Sequence, residues 1–155
     1  MTDAPAQKDT RLDGVIYEVA RHRRVTSIDE AAALRGVDVS KMIKTMVVRR
    51  GHDDYLFVLV PGDRVIDWPK LRSHLGARRL SMPDAEEALA VTGYEHGTIT
   101  PFGASRTLPV LADIRVASGT VSIGAGAPGV SLRIDGGAVV AAVAADTADV
   151  TRPSG

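Results

Sequence analysis

The residues best suited to chemistry lie in one stretch, Gly93-Tyr94-Glu95-His96-Gly97-Thr98-Ile99-Thr100-Pro101-Phe102-Gly103. Its glycines let backbone N–H groups approach a ligand closely, and Pro101 fixes φ and stiffens the loop. A loop that is both permissive and pinned suits holding a ligand by its main chain; the plainer reading is a tight surface connection. Lys44 is the second candidate, a charge set among the hydrophobics 43–48. Its ammonium either snorkels to the strand edge or meets an anion in a pocket. The histidines, His22, His52, His74 and His96, show no H-x-H or H-E-x-x-H spacing and predict no metal site. His96 alone falls inside the loop, where it is either a ligand contact or incidental. There is no G-x-S-x-G elbow and no G-K-[ST] ending to a glycine-rich turn. An enzyme built from these residues lacks an evident protein nucleophile, so its catalysis rests on positioning and backbone electrostatics.

The elements that must position these residues follow from periodicity. Leu12, Val15, Ile16 and Val19 fall at helical spacing and predict an amphipathic helix over 12–22. Ser27 and Glu30 have the form of a capping box opening a helix over 28–35, with Gly36 as its C′ residue. The run 43–48 reads as a strand, 51–54 as a turn and 55–60 as the second arm of a hairpin, apolar enough to be buried on both faces. Asp67 caps a short helix carrying Trp68, Leu71 and Leu75, closed by Gly76. A brief strand over 78–81 is followed by a helix from Pro83 through Val91, ending at Gly93. The loop therefore starts as a helix C-cap and runs towards a strand over 108–112.

Two more strands, 120–123 and 130–134, flank Gly124-Ala125-Gly126-Ala127-Pro128-Gly129. That string matches G-x-G-x-x-G, but a dinucleotide fingerprint leads into a helix, whereas Val130, Leu132 and Ile134 alternate as a strand does. The motif is read as a hairpin turn. Asp135 caps a helix over about 137–145, and the last residues read as a loose tail.

A chain of 155 residues with 45% apolar content predicts one domain with an aliphatic core. The absence of cysteine excludes disulfides, thiolate nucleophiles and thiolate metal sites. With no apolar signal region and no run of membrane-spanning length, the expectation is a cytoplasmic protein without a membrane partner. Charge sums to zero but is uneven: residues 41–79 carry nine Lys/Arg against four Asp/Glu, and residues 80–155 four against eight. This asymmetry suggests a face for an anionic partner.

In order along the chain, Asp29-Glu30-Ala31-Ala32, Ile43-Lys44-Thr45-Met46-Val47-Val48, Thr92-Gly93-Tyr94, Gly97 to Gly103, Gly124 to Leu132 and Ala148-Asp149-Val150 resemble the YbaK/EbsC-type aminoacyl-tRNA deacylases. These are relatives of the editing domain inserted in bacterial prolyl-tRNA synthetase, and the similarity spans about residues 28–150. The resemblance implies a mixed α/β fold with a curved, partly barrel-like mixed β-sheet flanked by helices. It implies a single editing domain over 1–155, with a core of about 12–150 and flexible ends. The implied activity is trans-editing: hydrolysis of misacylated tRNA, typically proline tRNA carrying Cys, Ala or another small amino acid, at the ester on the 3′-terminal adenosine. No cofactor is implied, and prolyl-tRNA synthetase is a possible partner. Lys44 and Gly97 correspond to the catalytic pair, the lysine engaging the terminal phosphate and the G-x-x-x-P glycine offering backbone contacts to the ester. Thr45, His96, Thr98, Ile99, Thr100, Pro101, Gly126 and Ser131 are the implied substrate contacts. The chain departs from its relatives at Ala127-Pro128, where many carry a basic pair, and at His96, where glycine is common. A non-catalytic tRNA- or synthetase-binding module is the alternative.

Overall fold

The computed structural model describes residues 2–23, 25 and 27–155. Its strands are β1 (Tyr17–Arg21), β2 (Met42–Gly51), β3 (Asp54–Pro61), β4 (Arg64–Ile66), β5 (Val110–Asp113), β6 (Thr120–Gly124), β7 (Val130–Asp135), β8 (Asp146–Ala148) and β9 (Thr151–Pro153). The α-helices among the described residues are α1 (Ile28–Arg35), α2 (Trp68–Leu75), α3 (Ala85–Thr92) and α4 (Gly136–Ala142). Seven strands make one mixed sheet in the order β1-β7-β6-β2-β3-β5-β8, and β4 pairs with β9 apart from it. β2 runs parallel to β6, and β3 to β5, while the β2–β3 and β6–β7 hairpins are antiparallel. The sheet is open, with β1 and β8 at its edges. This is the expected mixed α/β architecture, and it needs no closed barrel.

β3 is the spine. From Tyr55 to Pro61 every residue is buried, as its unbroken apolar run predicts. Successive side chains alternate between faces. Phe57 and Leu59 pack with Ile43, Val47, Val121, Ile123, Leu132 and the inner sides of α3 and α4, while Leu56, Val58 and Val60 pack with Val48, Leu111, Ile66, Leu71 of α2 and Val150. β2 obeys the same alternation, so Ile43, Thr45 and Val47 look to one layer and Lys44, Met46 and Val48 to the other.

Local signals account for most helix ends. Ser27 accepts from the Glu30 amide, and Gly36 takes the left-handed conformation after α1. The box is only half formed, because the Glu30 carboxylate pairs with Arg23. Asp67, Asp84 and Asp135 each accept an amide from the first turn of α2, α3 and α4. The glycine-rich motif is the β6–β7 hairpin connection, as its strand pattern predicts.

Four expectations need correction. Residues 12–22 are not a helix: a short 3₁₀ turn ends at Leu12, Gly14 takes φ +76°, and Tyr17–Arg21 becomes the edge strand β1 on β7. The β-branched Val15, Ile16 and Val19 suit a strand, and pairing with the open side of β7 overrides the helical spacing. The 78–81 strand reduces to a single bridge between Ser81 and Arg49. The last helix stops at Ala142, because the chain must turn into β8. The tail is not loose. Val150 and Thr151 are fully buried, and β9 pairs with β4, which periodicity did not reveal.

Asp113 fastens that tail. Fully buried, its carboxylate accepts from Thr151 Oγ1 at 2.8 Å, the Val150 amide at 3.2 Å and Arg115 Nη1 at 3.1 Å. Asp113→Ala leaves buried donors unpaired, so it is expected to lower unfolding free energy by about 2–3 kcal/mol in urea titrations; a loss below about 0.5 kcal/mol contradicts this role.

The N-terminal segment is equally engaged. The Ala6 amide donates to Ala125 O, and Ala6 is fully buried. Asp9 accepts from the Gly103 amide at 2.7 Å and from Arg11 Nη2 at 2.8 Å; the same Nη2 donates to Pro101 O, and the guanidinium lies over the Phe102 ring. Burial opposes the Asp9 charge, but the Arg11 and Gly103 hydrogen bonds outweigh it and hold the pKa at about 2. A carboxylate depressed on folding contributes stability above its unfolded pKa, roughly 3.9, and that contribution fades as pH falls through the folded value. The stability difference between wild type and Asp9→Asn should thus be constant above about pH 4 and shrink between pH 4 and 2; a difference independent of pH would refute the clasp.

Candidate functional site

The clasp holds the far end of the loop, and Tyr94 holds its near end. Tyr94 is buried, its hydroxyl donates to Phe102 O at 2.7 Å, and burial with the nearby Asp9 charge pushes its pKa up to about 12. Its ring lies against Gly126, where an added Cβ would come within 2.7 Å. The segment between, residues 95–99, is left to form the rim of a cavity.

That cavity measures about 730 Å³. β2 supplies its floor from Met42 to Val47, β6 contributes Gly124, and the start of α3 adds Ala85 and Ala88. His96, Gly97 and Ile99 close it from the loop, and Arg35 reaches in from the last turn of α1. The lining is apolar apart from Arg35, Lys44, Thr45 and His96, and it holds no carboxylate.

Gly97 has φ +87°, and a Cβ added there would meet nothing within 4 Å, so backbone conformation, not space, requires glycine. A turn fixes it: the Thr98 amide and hydroxyl both donate to Glu95 O, at 3.0 and 2.8 Å. Lys44 lines the cavity, yet its Nζ donates to Arg64 O at 2.6 Å, beyond the β3–β4 turn. Burial lowers its pKa, and Asp63 partly offsets this. An ammonium has three donors, so one bond leaves capacity for a ligand. Thr45 Oγ1 is buried without a hydrogen-bond partner among the described residues. A buried hydroxyl left unpaired is costly and marks a place where a ligand can bond.

Of the residues singled out from the sequence, Lys44, Thr45, His96, Gly97 and Ile99 converge on this cavity. Thr98, Thr100, Pro101, Gly126 and Ser131 are not among its lining residues. Thr98 braces the turn. Thr100 and Pro101 are buried behind the rim, with Pro101 O held by Arg11. Gly126 makes room for Tyr94, and Ser131 is buried in β7 opposite Gly124. Sequence reasoning missed Arg35, which reads as an ordinary cation in a final helical turn, and Gly124, which stands two residues before Gly126, the glycine expected to count.

A second depression of about 700 Å³ lies between β1, β7 and residues 36–41. Its cations already have partners: Arg133 pairs with Glu18, and Lys41 donates to Ser118 O. No residue expected to carry chemistry lines it.

The chain is similar to proline–tRNA ligases: 35% identical over 100 residues to that of Thermosipho africanus and 32% over 112 residues to that of Streptococcus equi subsp. zooepidemicus. Those alignments cover 64% and 72% of this chain but 18% of each ligase, so the chain spans under a fifth of the curated relatives' length. Among solved structures it is similar to the hypothetical protein APE2540, with a TM-score of 0.82 and 26% identity over 92% of this chain and 96% of that one. A protein described as a proposed trans-editing enzyme for prolyl-tRNA synthetase shares the fold at a TM-score of 0.82 and 24% identity, each chain covered in full. The family model for the aminoacyl-tRNA editing domain matches residues 22–142, a span that contains every cavity-lining residue. The chain belongs to the aminoacyl-tRNA editing domain family.

Proposed function

We propose that this protein is a deacylase that hydrolyses the ester of a misacylated tRNA, with the 3′-terminal aminoacyl-adenosine entering the cavity beneath the Gly97 rim. The observation that carries the reading is the convergence of Lys44, Thr45 and Gly97 on one cavity within a chain of the editing family. Proline tRNA bearing alanine, cysteine or another small residue is the proposed substrate, because the apolar lining from Met42, Ile43, Val47, Ala88 and Ile99 suits a compact side chain.

In the proposed reaction, water attacks the ester carbonyl carbon, the acyl C–O bond breaks, and the 3′-hydroxyl of the adenosine leaves with a proton. The lining holds no serine or cysteine, and Thr45 Oγ1 is assigned as a substrate contact, so the proposed reaction passes through no acyl-enzyme. The developing oxyanion is stabilised by main-chain N–H groups of the rim, which the Glu95–Thr98 turn and the Asp9–Arg11 clasp hold in place. Lys44 anchors a phosphate with the donors that Arg64 O leaves free, fixing the ester's register. Thr45 Oγ1, buried and without a partner among the described residues, bonds the substrate in this reading.

The test is release of amino acid from a panel of misacylated tRNAs. The expected outcome is turnover of alanyl- or cysteinyl-tRNA(Pro) by wild type and loss of about 10²-fold or more in Lys44→Ala with folding intact. Gly97→Ala should cost a comparable factor, because a left-handed φ strains alanine and shifts the rim. No turnover on any substrate would overturn the reading. The absence of an acid–base pair in the lining favours one competitor, a non-catalytic tRNA-binding module. It predicts salt-dependent tRNA binding without turnover.

A further inference from the structure

Among the described lysines and arginines, Arg35 is the one with a buried side-chain nitrogen that has no hydrogen-bond partner. Several other arginines are paired with carboxylates: Arg11 with Asp9, Arg49 with Glu87, Arg50 with Asp54, Arg106 with Asp53, Arg115 with Asp113 and Asp149. Arg35 forms no ion pair among the described residues. Its one hydrogen bond, from Nη1 to Ser122 Oγ, is stretched to 3.5 Å, and its Nε is buried with no partner. Burial lowers its pKa with no carboxylate to oppose this. A guanidinium in the last turn of α1 is favoured by the helix dipole, but solvent exposure serves that purpose as well as burial does. Holding it against the wall of a cavity that contains no Asp or Glu needs another reason.

The planar fork of a guanidinium matches an oxyanion, binding two oxygens at once. Here the fork is part-desolvated, has no counterion among the described residues, and shares its cavity with Lys44 and His96. Such a site attracts negative charge more strongly than an exposed arginine does. We infer that Arg35 is a substrate-binding residue that grips an oxyanion inside the cavity, either the terminal phosphate of the nucleotide or a carboxylate carried by the acyl group. This rests on the deacylase reading for the identity of the ligand, though not for the anion preference itself. Arg35 therefore sets which esters bind well, and Lys44, tied to Arg64 O, is not the sole anion anchor.

Two measurements on folded Arg35→Leu, checked by thermal melting, separate the sources. In the first, 5′-AMP and adenosine are titrated into the wild-type protein; a phosphate source predicts about tenfold tighter binding of AMP, lost in Arg35→Leu and partly kept in Arg35→Lys. In the second, aspartyl and alanyl esters of one tRNA are compared; a carboxylate source predicts a preference for the aspartyl ester that falls about tenfold in Arg35→Leu. If Arg35→Leu does not fold, Arg35→Gln and Arg35→Lys carry the same comparison. Unchanged AMP-to-adenosine and aspartyl-to-alanyl ratios in a folded variant would overturn the inference while leaving the deacylase reading intact. An Arg35-dependent AMP preference without hydrolysis of any ester would uphold the anion site and sink the deacylase reading.

Discussion

Everything in this molecule depends on β3 being buried on both faces. Phe57, Val58, Leu59 and Val60 are each at most 1% exposed, and each such side chain contributes about 1.5–3 kcal/mol. A strand of that kind imposes a layer above and a layer below, and its hairpin partner β2 must divide its side chains between them. That division turns the adjacent Thr45 and Lys44 side chains to different layers, although both residues border the cavity. Thr45 meets the layer capped by α3 and the loop; Lys44 leans towards β4. The cavity lies along β2, with Gly124 at the end of β6 and Ala85 and Ala88 of α3 in its lining.

The loop is a consequence of the same frame. Its two ends are tied to each other by the Tyr94 hydroxyl on the Phe102 carbonyl, and residues 101–103 are tied to the N-terminal segment by Asp9 and Arg11. Hydrogen bonds to a charged group contribute about 1.5–3 kcal/mol each, enough to hold a short segment against the entropy of releasing it. Only His96, Gly97 and Ile99 of the loop are left to line the cavity. An N-terminal segment that looks dispensable in sequence is thereby a brace for the residues proposed to act on the ester.

Much of this is legible in the amino-acid sequence. The β2–β3 hairpin, the capped helices α1 to α3 and the β6–β7 hairpin follow from local signals that tertiary contacts do not contradict. The helix expected over 12–22 fails because the helical spacing of Leu12, Val15, Ile16 and Val19 is overridden by pairing of Tyr17–Arg21 with the open edge of β7, which is distant in sequence. β9 and the Asp113 fastening are invisible for the same reason: short strands carry little periodicity. At the site, Lys44, Thr45, His96, Gly97 and Ile99 emerge from the loop composition, the strand charge and the family resemblance. Arg35 does not, because nothing near it in sequence says that α1 delivers its last turn to a cavity wall.

The proposed chemistry requires that the aminoacyl end bind in the cavity under Gly97. The most direct test is amide chemical-shift mapping with a non-hydrolysable, amide-linked alanyl-adenosine nucleotide. Binding there predicts perturbations centred on Arg35, Lys44, Thr45, Gly97 and Ile99. Perturbations centred instead on Glu18, Lys41 and Arg133, or none at saturating ligand, would contradict it.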